Sequence, residues 1–394
     1  MTATTSRVAA LFLVLTAGAT FDASAAAPGV TGNSIIFGQS GCFSGSCGYA
    51  GTQYRSGILA AFHEFNRDGG GINGRKLVLL ALDDGYEPDR AAANANRFVT
   101  TDEVFAVLGG IGTPTTERMA PVFRKVMMPF VGHLTGAEFL RDTRRYPNVV
   151  NLRAGYAEET QSLVGHFVEN MDARRFGIIH QDDSFGHTVV ASYQDTLSTF
   201  DFSILAKAAY SRHSHAVHST VFVMEKADLD VVLLATTLAP AAEVINTTRS
   251  LGNDYAFGLL SFVDTERLEA SLDYSKERIF LTRVTPDIAN ESTALVRRFH
   301  LALDAYRNAE PEIAEVAASP LSLEGYILGR FVVEVLKRMP DEMSREVFLA
   351  TALSQDPVLI DGWEIAFDEG SNVGSDYVRI IDLSSYNSER EAAE

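Results

Sequence analysis

The chain has 394 residues, a formal net charge of −18 and only two cysteines. A single core rarely covers that length, so two lobes are expected. The acidic balance argues against nucleic acid and against docking on anionic lipid.

The N-terminus reads as an export signal over residues 1–25. A polar start with Arg7 precedes an apolar run from Val8 to about Thr20, and Ala-Ser-Ala at 23–25 has the small residues a signal peptidase reads. The run is shorter than the roughly 20 residues of a spanning helix, and Gly18 and Asp22 interrupt it. Residues 1–25 are therefore expected to be cut near Ala25, with no later segment inserted in a membrane. Export sets the redox state: in an oxidising compartment the two cysteines of GQSGCFSGSCGYAG pair as Cys42–Cys47. Two free buried thiols are the alternative. A loop that short yields about 2 kcal/mol of global stability, so the expected gain is local rigidity.

From residue 33 strand-like and helix-like runs alternate. NSIIFG is a strand; Tyr49 to Arg67 is a helix with Ile58, Leu59, Phe62 and Phe65 at helical spacing. GGGINGR is a turn, and KLVLLALDD reads as a continuous apolar strand of a parallel sheet covered on both faces. Pro88 opens a helix to about Thr100, and VFAVLGG is a third strand. The rhythm restarts after NVVNLRA (148–154). Glu158–Asn170 is a helix, FGIIHQDD a strand, His187–Phe200 a helix, LDVVLLATT a strand, Ala239–Leu251 a helix and AFGLLSF a strand. This alternation is that of doubly wound α/β sheets. KLVLLALDDGYEPDR and RFGIIHQDDSFG look alike, which suggests two lobes of like architecture. Thr293–Arg307 and Leu321–Arg338 are long amphipathic helices. Residues 357–382 read as two antiparallel strands around a Gly/Ser/Asn turn.

In open α/β sheets ligands bind beyond the carboxyl ends of the strands. Those ends carry Ser40, Phe43 and Ser44; then Gly112, Thr113 and Thr115; then Leu134, Thr135 and Gly136. Small residues and hydroxyls at helix starts expose backbone N–H groups to an anion; helix capping is the alternative at each loop. GGIG lacks the third glycine and the distal acid of a dinucleotide fingerprint. There is no P-loop and no G-x-S-x-G nucleophile elbow. His213, His215 and His218 form a histidine cluster that either binds zinc or lies on a solvated connection. Asp83–Asp84 and Asp182–Asp183 are acid/base pairs or, more simply, turn and helix caps.

Taken in order, IIFGQSGCFSG, GGINGRKLVLLALDDGYEPDRAAANANRFV, VFAVLGGIGTPTT, MPFVGHLTGAEFLR, NLRAGYAEE, IIHQDDSFG and SLEGYILGR give a pattern that resembles the type I periplasmic solute-binding proteins. The nearest branch is the leucine/isoleucine/valine-binding family serving ABC importers. The resemblance implies two Rossmann-like doubly wound lobes joined by three crossovers. The first would be 28–152 plus 285–356, and the second 153–284 plus 357–385, with a polar tail at 386–394 and hinges near 150–154, 284–287 and 355–358. It implies a periplasmic monomer, without cofactor or metal and not an enzyme, that closes on a small ligand and is met by an inner-membrane permease. The ligand's anionic end would meet Gly112, Thr113, Thr115 and Thr135. Phe43 and Ser44 would line the first lobe; Tyr86, Tyr156 and Phe185 would approach around the cleft.

The sequence departs from the family where amino-acid binders place an acid and an aromatic in the second lobe. After LDVVLLA stand Thr236, Thr237, Leu238 and Ala239, with Glu243 further along. That leaves room for carboxylates, amides or a bulkier apolar molecule. A periplasmic sensor and a secreted hydrolase or metal enzyme are the competing functions.

Overall fold

A computed structural model describes residues 27–386 apart from 215, 311–315 and 342. The expected signal segment, His215 and nearly all of the expected polar tail lie outside the described residues.

The first half builds a parallel sheet from β1 (Ser34–Gly41), β2 (Lys76–Asp83), β3 (Ala106–Leu108), β4 (Phe130–Val131) and β5 (Val149–Val150), in the order β2-β1-β3-β4-β5. The helices between them are α1 (Gly48–Asp68), α2 (Pro88–Thr100) and α3 (Thr113–Lys125). Proline stands at the start of α2 and of α3, where its missing N–H costs nothing.

The second half contains α4 (Tyr156–Met171), β6 (Phe176–Gln181), α5 (Ser184–Ser198), β7 (Ile204–Tyr210), α6 (His218–Glu225) and β8 (Val231–Ala235). It continues with α7 (Leu238–Ser250), β9 (Ala256–Leu259), α8 (Thr265–Ala270) and β10 (Ile279–Arg283). Helices α9 (Ala294–Ala309), α10 (Pro320–Arg338) and α11 (Arg345–Ala352) return to the first lobe. They are followed by β11 (Val358–Ile360), β12 (Trp363–Ile365) and β13 (Arg379–Asp382). The second sheet has the order β13-β10-β9-β8-β6-β7, all parallel except β13.

The protein is thus an α/β chain of two parallel-sheet lobes, as the alternation predicts. The two orders coincide when β1 is matched to β6 and β2 to β7. The pair of look-alike segments does not follow that match, because it aligns β2, an edge strand, with β6, an internal one. The difference shows in burial: every residue of β6 is buried, whereas Val78 of β2 is 43% exposed. The expectation that KLVLLALDD is covered on both faces is therefore corrected.

The tail of the chain also differs from its expected form. The hairpin is β11–β12, turning at Asp361 and Gly362, whose φ values of 50° and 90° are the two positive angles a two-residue I′ turn requires. Strand β13 pairs instead with β10. Val358, Ile360, Ile365 and Phe367 sit in the core formed with α1 and α10. The hairpin expected in the second lobe thus packs with the first, and the third passage between sheets runs from Ile365 to Arg379 rather than near 355–358.

The first lobe's core is anchored by close approach of α1 and α10. A Cβ at Gly325 would lie 2.0 Å from the Tyr54 carbonyl oxygen, so glycine is what lets the two helices touch. Where the lobes join, the passages bond to each other: Asn151 N–H donates to the Asn372 carbonyl at 2.8 Å, and Gly374 N–H to that of Asn151 at 2.9 Å. Beneath them lies a buried ion network. Arg153, on the first passage, donates to Glu159 of α4 at 3.0 Å and to Glu324 of α10 at 3.3 Å, so one guanidinium joins both lobes.

Candidate functional site: the interlobe cleft

A cavity of about 150 Å³ lies between the lobes at the carboxyl ends of both sheets. Its first wall comes from the glycine-rich loop and the start of α1 (Ser46, Cys47, Tyr49, Ala50), from Tyr86, and from the loops after β3 and β4 (Ile111, Gly112, Thr113, Leu134). Its second wall comes from the helix starts after β6 and β8 and from the loop after β9. Phe185, Thr236 to Ala239, Phe262, Asp264 and Arg267 stand there, with Tyr156 from the first passage.

The loop that holds both cysteines is tied by a Cys42–Cys47 disulfide with Cα atoms 5.9 Å apart, and Cys47 itself lines the cavity. Next to it, Gly112 has φ 88°, and a Cβ there would lie 2.2 Å from the Tyr86 ring. Glycine is therefore required for Tyr86 to lie against the α3 N-terminus. Thr113 opens α3, which lacks a side-chain cap at Gly112. Its hydroxyl shares a buried triangle with Thr135 at 2.7 Å and the Tyr156 phenol at 2.9 Å, closed by a Thr135–Tyr156 bond of 3.0 Å. Burial pushes the Tyr156 phenol up to about 12, so it remains a hydrogen-bond donor at neutral pH. On the opposite side Tyr156, Phe185 and Phe262 meet edge to face or tilted, with ring centroids 5.8–5.9 Å apart.

Charge enters from the loop after β9. Asp264 is 6% exposed, caps α8 by accepting from Arg267 N–H at 3.0 Å, and accepts from the Tyr49 hydroxyl across the cleft at 3.1 Å. The Arg267 guanidinium lies 4.1 Å above the Tyr49 ring.

Of the residues expected at a site, Tyr86, Gly112, Thr113, Leu134, Tyr156, Phe185 and Thr237 are brought together around this cavity. Five others stand behind it or outside it. Thr135 is fully buried behind the lining, and its hydroxyl reaches the cavity only through its bonds to Thr113 and Tyr156. Thr115 turns its hydroxyl back to the carbonyls of Ile111 and Gly112, capping the preceding turn. Gly136 is packed against Tyr156. Ser44 is exposed and donates to Asp83 at 2.6 Å, and Phe43 lies under the Arg55 guanidinium at 4.4 Å.

Sequence reasoning missed Tyr49, Ile111, Phe262, Asp264 and Arg267. The last three stand in FVDTER, directly beyond the carboxyl end of β9. The rule applied to the other strands points at that position too.

Three of the four paired acids serve turns and caps, and Asp182 meets the His187 ring at 3.0 Å. Asp83 accepts from the N–H groups of Phe43 and Gly85, and despite partial burial these bonds, with those from Ser44 and Arg90, hold its carboxyl down to about 2. Asp84 accepts from Ser40 and Tyr86 N–H, while burial pushes it up to about 6. Asp183 caps α5. His213 pairs with Glu87 at 3.0 Å across the cleft mouth, and His218 with Glu243 at 3.2 Å outside the cavity. Among the described residues no cluster of three His, Cys, Asp or Glu is placed to hold a metal, and no helix is long and apolar enough to cross a membrane.

The sequence of residues 34–367 matches the family described as periplasmic binding protein. The chain belongs to that family. Periplasmic binding proteins hold ligands and do not transform them, which sets aside the hydrolase and metal-enzyme readings. Among its relatives, an amino acid binding protein of Pseudomonas aeruginosa is 23% identical over 269 residues, covering 67% of this chain and 71% of the relative. A Leu/Ile/Val-binding protein of Citrobacter freundii is 23% identical over 213 residues, covering 54% of this chain and 57% of its own length, so the match spans little more than half of that relative. A crystal structure of a possible leucine/isoleucine/valine-binding protein from Rhodopirellula baltica SH 1 superposes with a TM-score of 0.82 at 30% identity, covering 90% of this chain and 95% of the other.

Proposed function

We propose that this periplasmic binding protein is the extracytoplasmic receptor of an ABC-type importer. It captures a small carboxylate- or amide-bearing molecule between its lobes by hinge closure and releases it unaltered. The observation that carries the reading is the cavity itself, whose walls come from both lobes. Binding and closure are then one equilibrium, biased by a ligand that touches both sides.

The polar groups converge in a way that suits a zwitterion or an amide. The uncapped start of α3, with Thr113, faces an anionic or carbonyl oxygen. Asp264 on the other wall faces an ammonium or amide N–H, and Phe185 and Phe262 cover the apolar body. Asp264 and Phe262 supply the acid and aromatic that the segment after β8 lacks, so an amino acid returns to the set of fitting ligands. The amino acid binding relative supports that choice. In this reading residues 1–25 direct export, the receptor acts as a monomer, and a membrane permease recognises the closed form.

Native mass spectrometry of protein purified without denaturation tests this. The expected result is one retained small molecule, recovered with unchanged mass, that raises the melting temperature when added back. A recovered molecule that the protein chemically converts, or no retained molecule together with no melting shift from amino acids, amides or organic acids, would refute it.

A further inference from the structure

Behind Tyr86 the cavity continues into a second chamber of about 90 Å³. Ser46, Tyr86, Thr237 and Ala239 line both chambers, so they share a boundary. Their chemistry differs. Ile111, Leu134, Phe185 and Phe262 give the larger one an apolar lining, whereas Gln181, Tyr210, His213 and Ser214 face the smaller.

Three observations mark the small chamber as part of a ligand site. Tyr210 is 4% exposed, yet its hydroxyl is unpartnered: it approaches Thr237 without reaching hydrogen-bond geometry. The hydroxyl of Thr236, 2% exposed in the wall of the larger chamber, is also unpartnered. A buried polar group left alone costs about 1–3 kcal/mol, and each such group in a native fold calls for a reason.

The backbone is also strained here. Tyr86 has φ 64°, and its ring meets that of His213 edge to face at 6.0 Å. Bulky side chains seldom occupy that region, and such strain gathers at ligand clamps.

Finally, the charges around the chamber are already paired. Glu87 meets Arg212 at 3.1 Å and His213 at 3.0 Å. Asp183 accepts from Gln181 at 2.6 Å and lies 4.0 Å from Arg212. A charged ligand group entering there would find no open counter-ion. Burial also holds the Tyr210 phenol above its usual range, so it remains an O–H donor.

Building on the reading of the protein as a small-molecule receptor, we propose that its ligand has a second, neutral polar end. A hydroxyl or carboxamide oxygen at that end extends past Tyr86 into the side chamber and accepts a hydrogen bond from Tyr210, with the Thr236 hydroxyl a further partner along the way. A plain aliphatic or aromatic tail would leave both hydroxyls buried and unpaired, so the site selects against it.

Titration calorimetry with matched probes tests this: phenylalanine against tyrosine, and hexanoate against its terminal-hydroxy derivative. In the native protein the oxygen-bearing member of at least one pair is expected to bind about tenfold tighter. Tyr210→Phe should reduce that difference to less than about threefold. Because the hydroxyl is unpartnered, the variant should keep the native urea midpoint. Plain members binding as tightly as oxygen-bearing ones would overturn the side-chamber proposal while leaving the receptor reading standing. So would a preference that survives Tyr210→Phe. No binding by any probe, with no small molecule retained from cells, would remove the receptor reading and this proposal with it.

Discussion

The two walls of the cleft are made in different ways. The first, beside the side chains of Tyr49, Tyr86, Ile111 and Leu134, carries its polar groups as backbone and small hydroxyls held from behind. Gly112 lets Tyr86 close in, Thr113 is fixed by Thr135 and Tyr156, and the disulfide ties the neighbouring loop. The second is made of side chains that reach in from separate loops: Phe185, Phe262, Asp264 and Arg267. A wall of the first kind presents preset donors to any ligand of suitable shape. A wall of the second kind decides which charge and which apolar body are accepted. Under the proposed function, shape is set by one lobe and ligand choice by the other, and Arg153 joins the two.

The largest effect should come from cutting that joint. Arg153→Met leaves Glu159 and Glu324 facing each other as buried carboxylates, and is expected to cost about 3–5 kcal/mol in urea unfolding. A loss under about 1 kcal/mol would show that the ion network does not couple the lobes.

Next in size is the selective wall. Asp264→Asn keeps an oxygen to cap α8 but loses the charge. It is expected to weaken binding of amino acids about ten- to a hundredfold in titration calorimetry, with little change for the matching carboxylic acids. Equal loss for both classes would move the ammonium contact elsewhere and blur the division between walls.

The smallest effect concerns what stands behind the preset wall. His133 is buried one residue before Leu134, bonds Asn151 at 2.7 Å, and is held by burial at about 3 instead of the usual 6.5. It stays neutral in the folded chain and charges in the unfolded one, so its stability contribution is complete above pH 6.5 and declines as pH falls toward 3. Asp84 opposes this. With its carboxyl raised from 3.8 to about 6, folding gains as pH falls through that window. His133→Gln removes only the first effect, so its melting temperature should fall less between pH 6.5 and 4 than the native protein's. Parallel curves would contradict the assignment.

Much of the architecture was legible because local signals and long-range packing agree. Pro88 begins α2, the GGGINGR turn follows α1, and the apolar run of β8 is buried throughout. The preset wall was legible for the same reason: GIGTPT and HLTGAE place glycines and threonines at the ends of short buried strands. Two features were not. The DG dipeptide at Asp361–Gly362 competed with the GSN stretch further on, and only packing of Val358 and Ile365 against α10 decides between them. The selective wall was hidden because Asp264 looks like an ordinary helix cap in sequence, and it is one. Its second face is created by the approach of Tyr49 from the other lobe, which no local pattern encodes.

The most direct test is small-angle X-ray scattering of protein stripped of ligand by unfolding and refolding, measured before and after adding back the molecule it carried from cells. A fall in radius of gyration with saturable, one-to-one stoichiometry is the expected result. An unchanged radius at saturation would mean that the halves do not close around what they bind.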